Sequence, residues 1–105
     1  MNWLLLLVAG CFEIAWAIGL KYTEGFTRPW PTLLTVSAMI ISIALLGLTM
    51  RTLPVGTAYA VWVGIGAAGT VLFSAVLFGE PVDLMKGASL VLILLGVLGL
   101  KLSAG

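Results

Sequence analysis

The chain has 105 residues, of which 62% are hydrophobic and only 9% charged, and this balance excludes a soluble globular protein. With a formal net charge of +1, no histidine and a single cysteine, it offers almost no ligands for a zinc or haem centre. No pair of nucleophile and base can be assembled from its residues, so we expect no enzymatic activity and no cofactor. The expected surroundings are a lipid bilayer, and no nucleic-acid partner is expected.

Four apolar runs follow one another along the chain, each long enough to cross a bilayer as a helix. Spanning a hydrocarbon core about 30 Å thick takes about 20 apolar helical residues. The predicted helices cover residues 3–20, 32–50, 55–78 and 84–102. Proline occurs in all three connections, where it fits the first turn of the next helix without loss of a needed donor. The predicted fold class is an all-α integral membrane protein with a single four-helix transmembrane domain over residues 1–105.

The first predicted helix carries an acidic residue, Glu13, near its middle. An ionised carboxylate facing lipid there costs at least about 2.5–3.5 kcal/mol, so Glu13 must face protein or water. Ala9, Gly10, Trp16 and Ala17 share its face, and they combine space beside the carboxylate with an aromatic wall and one indole donor. The pattern predicts a cation site. The alternative is a structural glutamate bonded to a neighbouring helix, although the other runs offer no ionisable partner at similar depth.

The second predicted helix has a thin polar stripe, in which Thr35, Ser42 and Thr49 repeat every seven residues with Met39 between them. Hydroxyls in membrane helices often bond only their own backbone, and this is our interpretation of the two threonines. Ser42 lies at a depth comparable to Glu13, so we expect it to orient the carboxylate.

Aromatic residues and glycines share a face of the third predicted helix. Tyr59 and Trp62 are three residues apart, and both can donate hydrogen bonds to a carboxylate or hold a cation over their rings. The alternative for both is an ordinary position at the membrane interface. Gly64 and Gly66 belong to "GIGAAG", which lacks the preceding strand and following lysine of a phosphate loop. We interpret these two glycines as a hinge or a close packing contact.

The fourth predicted helix is the poorest in polar groups and carries a stripe of small residues. Gly96 and Gly99 lie on this stripe, and we predict that they form the seam of a dimer.

The basic residues give the chain little preference for one orientation in the membrane. Arg51 and Lys101 fall on one side, whereas Lys21, Arg28 and Lys86 fall on the other, so the bias is a single charge. Insertion in both orientations is therefore expected, and a chain too small to enclose a pathway alone can then pair as an antiparallel dimer. The alternative is that one stronger determinant, such as the first helix, fixes a single topology.

Two stretches of the sequence, "FEIAWAIGLKYTEGFTR" and "LPVGTAYAVWVGIGAAG", together with four helices in about a hundred residues, resemble the small multidrug resistance transporters across the whole chain. Trp16 beside Glu13 and the closing "GLKL" resemble the guanidinium exporter subtype within that family. The resemblance implies an antiparallel homodimer in the bacterial cytoplasmic (inner) membrane, which exchanges guanidinium for protons by alternating access. Protons would be the coupling ion.

The resemblance also implies roles for individual residues. Glu13 would be the shared binding site for substrate and proton. The lining and hydrogen-bonding residues would be Gly10, Trp16, Met39, Ser42, Tyr59 and Trp62. Val63 departs from the guanidinium subtype, which favours threonine after the third-helix tryptophan, and this departure implies looser selectivity.

Two other functions are compatible with the sequence. A quaternary ammonium exporter of the same family would keep the fold and Glu13 but take a cation without N–H donors. A non-transporting subunit of a larger membrane complex would use Glu13 only to pair with a missing partner.

Overall fold

The protein, described here by a computed structural model over residues 2–104, consists of four helices joined by short connections. They are α1 (Asn2–Tyr22), α2 (Pro29–Thr49), α3 (Val55–Leu77) and α4 (Leu84–Ala104). All four are long and apolar enough to span a membrane, as the sequence predicts. Each has 21 or 23 residues, a length of about 32–35 Å at the usual helical rise, which matches a bilayer core.

Helix α2 begins three residues earlier than the apolar pattern predicts. Pro29 and Pro31 both lie in its first turn, where the missing backbone N–H groups would have no helical acceptor. Arg28 precedes the first proline in extended conformation, with φ −99° and ψ 117°, as a residue before proline prefers. The predicted helix begins at residue 32, whereas the structure places both prolines in its first turn, the position expected from the sequence for prolines of the connections.

The turn between α1 and α2 is closed by its own polar groups. The buried Thr23 hydroxyl donates to the Leu20 carbonyl at 2.7 Å and accepts from the Phe26 amide at 3.3 Å. Glu24, Gly25 and Phe26 adopt φ values of 49°, 75° and 66°, in the left-handed region that glycine favours. These bonds leave few unpaired backbone groups where the chain reverses direction at the membrane surface.

The start of α4 is fixed by a side-chain cap. The Asp83 carboxylate accepts a hydrogen bond from the Lys86 amide at 2.8 Å, the bond expected of a helix N-cap. Lys86 in turn donates from Nζ to the Pro81 carbonyl at 3.1 Å, so its charge lies outside the apolar segment. Helix α4 therefore begins at Leu84, where the sequence predicts it, and it continues two residues beyond the predicted end.

The helices form a flat bundle with α1 packed between α2 and α3, while α4 packs on the outer side of α3. The molecule measures 43 × 34 × 17 Å, so its thin dimension is less than two helix diameters. The small core is formed by Leu6, Ala9, Leu46, Ala58, Val61 and Trp62. Most large apolar side chains on the outer surfaces are exposed, as expected of helices that face lipid.

A lysine lies on an aromatic ring at each end of the bundle. Lys21, at the end of α1, has its ammonium 4.5 Å from the centre of the Phe78 ring. Lys101, near the end of α4, has its ammonium 5.9 Å from the centre of the Trp3 ring. Both distances lie within the range of cation–π attraction, which links α1 to α3 at one end and to α4 at the other.

We predict that the Asp83 cap stabilises α4. The change Asp83→Ala removes the acceptor for the Lys86 amide and should lower the free energy of unfolding by about 1 kcal/mol. Asp83→Asn keeps a capping oxygen and should cost much less. Thermal unfolding of the purified protein in detergent measures both, and equal losses in the two variants would contradict the assignment.

Candidate functional site

Glu13 lies near the middle of α1 with its carboxyl group against Gly66 of α3. A Cβ atom added at Gly66 would overlap this carboxyl group, so a side chain at that position would displace Glu13. One turn on, the side chain of Ile14 occupies the space that a Cβ at Gly69 would need. Two glycines of α3 thus receive two successive side chains of α1, and they set how closely the helices approach at the depth of the carboxylate.

The carboxyl group has no counter-charge at its own depth. Within residues 2–104, the buried Oε1 of Glu13 has no hydrogen-bond partner. All five lysines and arginines of the chain lie in the connections or near helix ends: Lys21, Arg28, Arg51, Lys86 and Lys101. A carboxylate so placed must take up a proton, bind a cation or face water.

A chain of hydrogen bonds joins three helices beside Glu13. The indole Nε1 of Trp62 donates to the Ser42 hydroxyl at 2.9 Å, and this hydroxyl donates to the Ala9 carbonyl at 2.7 Å. Trp62 and Ser42 are both buried, and Ala9 is one turn before Glu13. Ser42 therefore orients Trp62 in this structure, and a direct bond from Ser42 to Glu13 stays a prediction.

The other predicted lining residues differ in how far they are exposed. Trp16 is partly buried one turn after Glu13, and its Nε1 has no partner in the described part of the chain. Tyr59 is 54% exposed, with its ring centre 5.7 Å from that of Trp62. Met39 is partly buried one turn before Ser42. The aromatic pair is thus formed within one chain, whereas Tyr59 lies on a side of the bundle that one chain leaves open.

Gly10 and Gly64 serve close packing. A Cβ at Gly10 would lie 2.6 Å from Cγ2 of Ile65, so this glycine allows α3 to approach α1. We predicted that Gly10 leaves space for the carboxylate, and in the structure Ile65 fills the space beside it. A Cβ at Gly64 would lie 2.5 Å from Cγ2 of Val97, so Gly64 allows α4 to approach α3. The structure gives both positions a packing role, and a hinge at Gly64 or Gly66 stays a prediction.

Gly96 and Gly99 lie on the open surface of α4. Added Cβ atoms at these positions would meet nothing within 4 Å among the described residues. Both glycines are exposed in the single chain, so the predicted dimer seam stays a prediction.

Sequence reasoning missed two features of the site. The contact of Glu13 with Gly66 depends on how α1 and α3 cross, which neither helix reveals alone. Thr70, whose Oγ1 is buried without a partner within residues 2–104, was not singled out. Its position one turn after Gly66 was the available signal, because residues four apart share a helix face.

A match to a protein family covers most of the chain. Residues 1–93 match the family described as Small Multidrug Resistance protein. A protein of Escherichia coli strain K12 named Guanidinium exporter is 57% identical over 103 residues, which are 98% of each chain. A Guanidinium exporter of Proteus vulgaris is 52% identical over 104 residues, which are 99% of this chain and 100% of the relative. The resemblance predicted from the sequence is confirmed by these matches.

We predict that Gly66→Ala destabilises the protein through its contact with Glu13. The added methyl group overlaps the carboxyl group and should cost about 1–3 kcal/mol of unfolding free energy. In a Glu13→Ala background the overlap is removed, so the same change should cost little. Unfolding of the four variants in detergent gives the coupling energy, and additive effects would contradict the contact. Gly47→Ala, at a glycine with open space around it, is the control and should cause no loss.

We predict a second effect for Ser42→Ala, which leaves the Trp62 indole without its acceptor. A buried unpaired donor costs about 1–3 kcal/mol, so the free energy of unfolding should fall by this amount. Ser37→Ala, at an exposed serine of the same helix, should change it by less than about 0.5 kcal/mol. Tryptophan fluorescence during unfolding measures both, and equal stability of the two variants would contradict the chain of bonds.

Proposed function

Because the chain belongs to the small multidrug resistance family, we propose that it exports guanidinium and related guanidinyl cations in exchange for protons. It is a multi-pass protein of the bacterial inner membrane. Relatives named Guanidinium exporter, 52% and 57% identical over nearly the whole chain, support the choice of substrate.

The proposal is carried by the placement of the Glu13 carboxyl group. It lies at mid-membrane depth against a glycine, with Oε1 unbonded within residues 2–104 and the basic residues of the chain at the helix ends. A carboxyl group that no described residue neutralises is suited to bind a transported cation.

Guanidinium matches this site in shape and in hydrogen bonding. Its planar N–H groups form paired bonds to the two oxygens of a carboxylate, and its delocalised charge is attracted to aromatic faces. The Trp62 ring is held by Ser42, and the Tyr59 ring lies beside it. A quaternary ammonium ion has no N–H groups and would gain only from the aromatic rings and the apolar volume.

Exchange for protons follows from the use of one carboxylate for both ions. A protonated Glu13 has no negative charge for guanidinium, and a Glu13 bound to guanidinium has no need of a proton. Release of one ion therefore prepares the site for the other. Protons serve as the coupling ion, and no cofactor takes part.

We infer that the working unit is an antiparallel homodimer. One chain is only 17 Å thick, and its α4 packs on α3 with most of its apolar surface exposed. A single chain of this shape does not enclose a pathway. Gly96 and Gly99, open on α4, offer a surface for a second α4. Two copies in opposite orientations would give inward-facing and outward-facing states that are equivalent by exchange of subunits, as alternating access requires.

The test is transport by the purified protein alone in proteoliposomes. Guanidinium should evoke a current that depends on the pH gradient, and Glu13→Gln should abolish it because the amide cannot carry the charge. Glu24→Gln is the matched control, since this carboxylate lies in the exposed turn between α1 and α2 and should leave the current unchanged.

The outcomes separate the candidate functions. Coupled exchange that persists in Glu13→Gln would overturn the role of Glu13. A response to a quaternary ammonium ion without a response to guanidinium would assign the protein to the other substrate class. The absence of a transport current with both cations would favour the function of an accessory subunit.

A further inference from the structure

Three residues within one turn of the contact between Glu13 and Gly66 carry a buried polar atom without a hydrogen-bond partner among the described residues. Within residues 2–104, Glu13 Oε1, Trp16 Nε1 and Thr70 Oγ1 are buried without a hydrogen-bond partner. The two helices run in the same direction, since Gly66 meets Glu13 and Gly69 meets Ile14. Trp16 follows Glu13 by one turn and Thr70 follows Gly66 by one turn, so both lie just beyond the carboxylate on the same side.

The Thr70 hydroxyl, like that of Thr32, is buried without a hydrogen-bond partner within residues 2–104, whereas some other hydroxyls bond their own helices. Thr49 and Ser89 donate to carbonyls of their own helices, at 2.7 Å and 2.8 Å. Such bonding is the usual way to satisfy a hydroxyl in a membrane helix. Thr70 does not form this bond, although its Oγ1 is buried and lipid offers no partner. Its two acceptor lone pairs are therefore unused by the residues that this structure describes.

The three atoms are complementary in their hydrogen-bonding character. The Trp16 indole can only donate, so it can serve the carboxylate but not a cation that has only donors. Guanidinium needs acceptors for the N–H groups that the carboxylate does not engage. Thr70 can supply such an acceptor. Val63, one turn before Gly66, has no polar group, so the hydroxyl next to Gly66 on this face of α3 is that of Thr70.

We propose that Thr70 is a substrate-contact residue whose hydroxyl accepts an N–H hydrogen bond from guanidinium held at the Glu13 carboxylate. The proposal rests on the proposed function and adds a determinant of specificity to it. An acceptor one turn beyond the carboxylate favours cations with several N–H groups over substituted cations with fewer. Val63 has no hydroxyl where the guanidinium subtype favours threonine. The Thr70 hydroxyl, one turn after Gly66, would supply a hydrogen-bond acceptor in its place.

The test compares three variants in the proteoliposome assay. Thr70→Val has nearly the same shape without the hydroxyl, and it should raise the KM for guanidinium about 3- to 10-fold while the maximal current changes little. Thr70→Ser keeps the hydroxyl and should restore a KM close to that of the unmodified protein. Thr49→Val is the control, since its hydroxyl bonds only its own helix, and it should leave the KM unchanged.

A second substrate distinguishes contact from a general structural effect. Tetramethylguanidinium has fewer N–H groups, so Thr70→Val should raise its KM less than that of guanidinium. An equal rise for both cations, a fall in maximal current at unchanged KM, or failure of Thr70→Ser to restore the KM would overturn the contact. Thr70→Ala provides a second variant without the hydroxyl if Thr70→Val does not give folded protein.

Failure of this inference is distinguishable from failure of the proposed function. If the unmodified protein transports guanidinium and Thr70→Val has an unchanged KM, only the role of Thr70 is overturned. If the unmodified protein gives no guanidinium current, the proposed function fails, and the role of Thr70 fails with it.

Discussion

Hydrocarbon offers no water to a charged group, and the structure places the carboxyl group of Glu13 between helices, against Gly66. The carboxyl group occupies space that only a glycine at position 66 can leave, between helices that approach closely on either side of it. Nearby, the Trp62 indole and the Ser42 hydroxyl are bonded to each other and to the backbone of α1. The Trp62 indole and the Ser42 hydroxyl are thus satisfied internally, whereas Glu13 Oε1 has no partner within residues 2–104.

Helix α3 connects this site to the rest of the bundle. Gly66 and Gly69 receive side chains of α1, while Gly64, on the opposite side of the helix, receives Val97 of α4. The helix is therefore in close contact on two sides through glycines, which have no side chain that could change rotamer when a neighbouring helix moves. A shift of α3 relative to α1 would alter the surroundings of Glu13 and the position of α4 together. The exposed surface of α4 is in this way connected through α3 to the helix face that holds the Glu13 carboxyl group.

The sequence predicts the helices and the central acid because both depend on local information. Apolar runs of sufficient length define the membrane spans. A single carboxylate within one of them is easily recognised in the sequence, because a charge is costly inside a bilayer. The predicted start of α2 is three residues late, because a proline such as Pro29 is equally compatible with the end of a connection and with the first turn of a helix. The partners of Ser42 and the contact of Glu13 with Gly66 depend on the crossing of separate helices, which the periodicity of one helix does not contain. The position of Thr70 one turn after Gly66 is visible in the sequence, but only the structure shows that its hydroxyl has no partner within residues 2–104.

The two lysines that lie on aromatic rings have a consequence for the position of the protein along the membrane normal. Lys21 with Phe78 and Lys101 with Trp3 form similar amphipathic anchors at opposite faces of the bundle. Turning the molecule upside down exchanges one anchor for the other and leaves Glu13 near the same depth. These two anchors therefore give the protein little preference for one orientation over the other.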